Sequence, residues 1–270
     1  MQIVDAHVHL WAKGKPRAAH RQSPYSKHDA LADMDAAGVD AAVIQPPAWD
    51  PDANAIAMDA AASHPQRFAV LGNFPLDAPD GPSQLARWKS QPGMLGLRYI
   101  FNEPRHARWL DGNELDWLWS GAQRLGIPIA LAAAAHLPLV GKLARRYPSL
   151  RLLIDHLGVP LGATGPEAFA QIPQLEELAS CPGVAVKATG APAYATDGYP
   201  YRSIHPYLRR IFDAFGPSRF FWGTDITKMP CPWRACVTLF TGELPWLSPA
   251  DQKLVMGEAL CGWIGWRRQQ

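Results

Sequence analysis

Eight short apolar segments recur along a chain of 270 residues, at positions 3–8, 41–45, 68–73, 95–100, 128–133, 150–155, 184–189 and 220–224. Each is rich in Val, Ile, Leu, Phe or Ala, as buried strands are. Between most of them lie stretches with helical character. These are 28–37 before Gly38, 54–63, 114–124 before Gly126, 137–147 before Pro148, 167–179, and 206–215 before Gly216. Strands that are apolar along their whole length need cover on both faces, which a parallel sheet with outer helices supplies. Eight such units within about 230 residues predict an α/β fold, a single-domain (β/α)8 barrel over residues 1–270. A doubly wound open sheet is the competing arrangement. No G-x-G-x-x-G or G-x-x-x-x-G-K pattern follows any strand, which disfavours a nucleotide-binding version. A closing helix is expected over 248–266, with Ser248 as N-cap and Pro249 in its first turn.

Composition removes several function classes. Net charge is +2 with acids and bases interspersed. No basic stripe with interleaved aromatics is present, so nucleic acid is not an expected partner. The apolar run at 127–136 is too short to span a bilayer, and no membrane partner is expected. The start shows no charged leader before an apolar stretch. The four cysteines, Cys181, Cys231, Cys236 and Cys261, make no C-x-x-C pattern and read as free thiols in a reducing cytoplasm. The 11 tryptophans are enough to supply an apolar homo-oligomer interface.

Barrel enzymes carry their chemistry at the C-terminal ends of strands. The polar residues there form a short set. The first segment carries His7 and His9, which share a strand face one pleat apart. Two imidazoles so placed can converge on one metal ion or one substrate oxygen. Trp11 follows them. The fourth segment carries Arg98 and Tyr99, the sixth ends in Asp155-His156, the seventh holds Lys187, and the eighth leads to Asp225. Each has a plain structural reading. His156 can simply bond a carbonyl, Arg98 and Lys187 can pair with carboxylates, and Asp225 can cap the next turn. His20, His28, His64, His106 and His205 read as solvated, and Glu103 and Glu114 as surface groups. Taken together, three histidines and one aspartate at one barrel mouth can polarise a carbonyl and activate water.

The stretch Asp5-Ala6-His7-Val8-His9-Leu10-Trp11 resembles the opening of the amidohydrolase superfamily. Residues 143–150 running into Ile154-Asp155-His156-Leu157-Gly158-Val159-Pro160 resemble its lactonase-like branch, which is related to metal-dependent decarboxylases. Gly96-Leu97-Arg98-Tyr99, Val186-Lys187-Ala188-Thr189-Gly190 and Phe221-Trp222-Gly223-Thr224-Asp225 fit the same pattern in order. The resemblance implies the barrel fold. It makes His7, His9, His156 and Asp225 the catalytic set, with Asp225 taking a proton from the attacking water.

It also implies a metal site at His7, His9 and Asp225, for one zinc or manganese ion. The chain departs from the metal-dependent pattern: strand four ends in Arg98-Tyr99 and strand five is apolar through Ala135. Only three protein ligands remain unless His136 or His156 adds one. Three ligands plus water suffice for a catalytic zinc, but some lactonases of the branch need no metal. The expectation is therefore a hydrolase of a small anionic lactone or activated ester with no obligatory metal. Arg98 would bind a substrate carboxylate, and Tyr99, Lys187 and Trp11 would wall the pocket. The alternatives are a metal-dependent non-oxidative decarboxylase of an aromatic or muconate acid, and a non-catalytic binding barrel.

Overall fold

The computed structural model describes residues 1–268, so the last two positions of the expected domain lie outside the described residues. Its eight strands are β1 (Val4–Val8), β2 (Ala41–Ile44), β3 (Phe68–Gly72), β4 (Met94–Ile100), β5 (Ile129–Ala132), β6 (Leu152–Ile154), β7 (Val184–Ala188) and β8 (Phe220–Trp222). Every expected apolar segment forms a strand. They pair in parallel and in chain order from β1 to β8. The ends of this sheet meet where the Asp225 N–H donates to the His7 carbonyl at 2.8 Å. The result is a nearly closed barrel, and the open-sheet alternative is set aside.

The helices between strands are α1 (Lys27–Ala37), α2 (Ala53–Ser63), α3 (Gly81–Ala86), α4 (Ala107–Asp111), α5 (Asp116–Leu125), α6 (Leu137–Arg146), α7 (Gly165–Ala168), α8 (Ile172–Ala179) and α9 (His205–Phe215). After β8 come α10 (Trp233–Gly242), α11 (Pro249–Lys253) and α12 (Ala259–Ile264). Local sequence explains their ends. Ser26 and Asp29 make a reciprocal cap at the start of α1, and Gly38 closes it at φ 75°, a conformation that glycine adopts without strain. Two expectations need correction, and one helix is additional. The helix expected over 167–179 is two pieces, broken at residues 169–171. The closing helix is interrupted by a π turn at Leu254–Glu258. There the backbone presses on β1, since a Cβ on Gly257 would lie 2.8 Å from Val4 Cγ2. The helix α10 was not anticipated; it begins directly after the loop-like run Pro230-Cys231-Pro232.

The apolar core has two parts. One lies between sheet and helices. The other fills the barrel with Val4, Ala6, Val43, Leu71, Ala130, Leu153, Ala185 and Phe221, and is plugged from below by Leu260, Ile264 and Trp266. Above that plug the interior turns polar, and there the candidate site begins. Among the described residues, no helix is long and apolar enough to cross a membrane.

Candidate active site

Strand alternation alone would misplace the histidine pair. Val4 and Ala6 point into the barrel, so strict alternation would send His7 outward. The register supplies the remedy. Asp5 faces Ala42 and Val8 faces Ile44, which leaves one extra residue on β1. This β-bulge lets His7, and then His9, face inward. The Asp5 side chain secures it. Asp5 Oδ1 accepts the His7 N–H at 2.8 Å and the Thr224 N–H at 2.9 Å. Asp5 Oδ2 accepts the Thr224 hydroxyl and, at 2.9 Å, the Trp233 indole N–H. One buried carboxylate thus joins the bulge, the β8 end and α10. Burial outweighs these bonds and pushes the Asp5 carboxyl up to about 7.

A buried ion-pair network underlies the site and reaches the cavity wall at Arg98 and Asp155. Lys187 Nζ sits 2.6 Å from Asp155 Oδ1, and Arg98 Nε donates to Asp155 Oδ2 at 2.9 Å. Lys187 Nζ also donates to His7 Nδ1 at 3.2 Å. His7 Nε2 lies 3.2 Å from His9 Nε2, and His9 Nδ1 donates to the Gln45 carbonyl at 2.5 Å. The chain of donors sets the tautomers: His9 keeps its Nδ1 proton, and an ammonium on Nδ1 leaves His7 its Nε2 proton, directed at His9. Burial raises the Asp155 carboxyl, but Lys187, Arg98 and His156 prevail and hold it well below the usual carboxylate range.

Asp225 occupies the centre. Its Oδ2 pairs with Lys228 Nζ at 2.9 Å and lies 3.8 Å from His156 Nε2. Its Oδ1 is buried without a hydrogen-bond partner among the described residues; His9 Nε2 is 3.5 Å away and His20 Nδ1 3.9 Å. Burial raises this carboxyl, yet Lys228, His9, His156 and His20 together depress it strongly, so it stays ionised. The histidines move down as well. Burial brings His9 to about 4, against the opposing pull of Asp225, and takes His7 and His156 well below their ordinary value. Asp225 and His156 adopt left-handed backbone, at φ 60° and 57°. Such strain at non-glycine residues, of order 1 kcal/mol or more, concentrates at functional sites.

Over this cluster opens a cavity of about 270 Å³. Its wall includes His9, His20, Trp49, Arg98, Asp155, His156, Asp225, Lys228 and the buried Tyr194, with exposed Arg17 and Asn102, and an apolar side formed by Ala132–Ala134, Val159, Pro160 and Leu161. His9, His156, Asp225 and Arg98 therefore meet as anticipated. His7 is fully buried and lies behind His9. Lys187, Tyr99 and Trp11 do not line the cavity, and their expected role as pocket walls is corrected. Lys187 lies beneath the floor. Tyr99 follows inward-facing Arg98, so alternation turns it outward, where it packs on Phe74 and Phe101. Trp11 is buried between Tyr25 and Trp49 and braces the first loop. His136 bonds the Glu103 carbonyl at 2.9 Å and, among the described residues, belongs to neither group able to hold a metal. His106, expected in solvent, is buried against Phe101 and Trp109.

Two site residues escaped the sequence reading. His20 sits in the loop after β1, yet its Nδ1 meets Thr227 Oγ1 at 2.9 Å and its ring packs on Trp49. No local signal separates it from a solvated loop histidine. Lys228 was accessible in principle, because a lysine three residues after a strand-end aspartate can fold back on it.

The donor set suits a divalent ion. Two groups, His7–His156–Asp225 and His9–His20–Asp225, each keep their ligand atoms within 4.8 Å of one another. The unpartnered Asp225 Oδ1 supplies an anionic donor. The 3.2 Å between the His7 and His9 Nε2 atoms is close to the edge of a zinc tetrahedron, about 3.3 Å for bonds of about 2.0 Å.

A family model described as Amidohydrolase matches residues 4–260. L-fucono-1,5-lactonase of Burkholderia ambifaria is 32% identical over 158 residues, covering 58% of this chain and 54% of that protein. The chain thus spans about half the length of this relative. The 4-sulfomuconolactone hydrolase of Rhizobium radiobacter is 25% identical over 241 residues, covering 82% of this chain and 74% of that protein. Among solved structures, an amidohydrolase of Burkholderia multivorans with bound zinc has a TM-score of 0.85 at 22% identity, covering 99% of this chain and 100% of that one.

Proposed function

The chain belongs to the amidohydrolase family, and from that premise we propose that it hydrolyses a small anionic lactone or a comparably activated ester. The observation that carries this reading is the ionised Asp225, with one carboxylate oxygen unpartnered among the described residues, between His9, His20 and His156 at the wall of the cavity. The printed names of the two relatives, a lactonase and a lactone hydrolase, support the same substrate class.

The chemistry follows from the residues. A water beside Asp225 Oδ1 gives its proton to the carboxylate as its oxygen attacks the lactone carbonyl. Negative charge develops on the carbonyl oxygen, within a wall that holds Arg98 and Lys228. The ring C–O bond then breaks. The protonated Asp225 then returns the proton to the departing ring oxygen. Arg98 uses Nε on Asp155 and borders the cavity, which suits it to a substrate carboxylate. A zinc or manganese ion at the His9, His20 and Asp225 donors, or at His7, His156 and Asp225, would add Lewis-acid polarisation of the carbonyl. We take such an ion as auxiliary, because the Lys187 ammonium favours the His7 tautomer that donates to His9.

A panel of carboxylated and neutral lactones followed by acid release tests the proposal. Asp225→Asn should lower kcat by about 10²–10⁴-fold. A variant with near-normal turnover removes Asp225 from the base role. A panel without turnover removes the lactonase reading, and carbon dioxide release from aromatic acids would favour the decarboxylase.

A further inference from the structure

The structure points to a second reactive site, away from the cavity. We propose that Cys231 and Cys236 form a peroxide-reactive dithiol that closes reversibly into a disulfide. The two sulfurs lie 3.6 Å apart and flank the start of α10. Cys231 is partly exposed and Cys236 is buried, an arrangement of attacking and resolving thiols. Bonds from the Cys236 thiol and the Tyr201 hydroxyl lower the Cys231 thiol against the opposing effect of burial, which favours the nucleophilic thiolate. Among the described residues, no other cysteine sulfurs are in hydrogen-bond contact.

The reaction balances with a hydroperoxide as oxidant. The Cys231 thiolate attacks the peroxide, the O–O bond breaks, and the products are a sulfenic acid and an alcohol, or water from hydrogen peroxide. The Cys236 sulfur then attacks the Cys231 sulfur, and the expelled hydroxide leaves as water with the Cys236 proton. The net change is two thiols and one peroxide to one disulfide and two waters, or a water and an alcohol. A dithiol reductant reverses it.

Closure must bring the sulfurs from 3.6 Å to about 2.05 Å. Between them in sequence stands Trp233, whose indole N–H holds Asp5 Oδ2 at 2.9 Å. Three residues before Cys231 stands Lys228, the cation on Asp225. The disulfide therefore pulls on both supports of the site, and through Asp5 on the His7 bulge.

The test treats the full chain with hydrogen peroxide, alkylates remaining thiols and maps peptides by mass. The expected result is a Cys231–Cys236 cross-link with the loss of two hydrogens, formed at least tenfold faster than oxidation of Cys261, and undone by dithiothreitol. In Cys236→Ser, Cys231 should be trapped as a sulfenic acid. Hydrogen exchange at the His7 amide should quicken severalfold in the oxidised form. Both thiols remaining alkylatable while Cys261 oxidises, or a bridge to a different cysteine, would overturn the dithiol. A bridge that leaves His7 exchange unchanged would overturn its link to the bulge.

Discussion

Asp5 Oδ1 accepts the His7 backbone N–H at 2.8 Å, and this bond secures the bulge that turns two histidines into the barrel. The same carboxylate holds Thr224, the neighbour of Asp225. Asp225 and the histidines are thus registered to each other through one side chain that does not line the cavity.

Asp5→Ala should leave the His7 and Thr224 amides and the Trp233 indole without their acceptor in a buried place. At about 1–3 kcal/mol for each orphaned donor, the loss should be several kcal/mol by denaturant unfolding. Turnover of the folded fraction should fall as well, mainly in kcat. Asp5→Asn keeps acceptor capacity and should recover part of both. A kcat for Asp5→Ala within twofold of the parent would show that the bulge holds without Asp5.

Lys187→Met leaves Asp155 charged and paired only with Arg98. Removing one member of a buried ion pair should cost about 3–5 kcal/mol, whereas Lys187→Arg, which keeps a cation beside Asp155, should cost less. Paired urea titrations read the difference. A Lys187→Met variant as stable as the parent would contradict the pairing argument.

His20→Ala removes a ring that borders the cavity and approaches Asp225. A loss of roughly tenfold or more in kcat/KM is expected with little change in stability, since the loop remains tied through Trp11 and Tyr25. Wild-type kinetics would return His20 to the class of bystanders.

Acid should weaken the fold in two stages. His9 is lowered from 6.5 to about 4, so below 6.5 the unfolded chain binds the proton that the fold resists, and stability falls as pH drops towards 4. For His9 this amounts to about 2 kcal/mol between pH 7 and pH 5. Asp155 and Asp225 are depressed below 3.8, so the stability they contribute is present above that value and is lost below it. Asp5 runs the other way: its raised carboxyl favours the fold at low pH and costs stability as pH climbs from 3.8 to about 7. Unfolding free energies of His9→Asn should vary less between pH 7 and 5 than those of the parent. Equal slopes would rule out a neutral buried His9.

Much of the barrel was legible because its strands are locally complete signals. Runs such as Ile129–Ala132 and Phe220–Trp222 are apolar on both faces and need no distant residue to be recognised. Arg98, His156 and Asp225 were readable from their place at strand ends. Tyr99 was misjudged because sequence adjacency to Arg98 says nothing of which face each takes. His20 was missed because its loop position becomes informative only when Thr227 and Trp49 are beside it.

The sequence by itself determined the number and order of strands, the parallel sheet, and the residue types available at its mouth, because periodicity and burial pattern are properties of short segments. Tertiary structure alone decided which way His7 and His9 point. An inserted residue in β1 reverses the alternation, and it is stabilised by a carboxylate reaching Thr224, 219 positions away. It also decided that Lys187 supports His7 from beneath the floor, since a lysine's partner is fixed by whichever carboxylate shares its buried space.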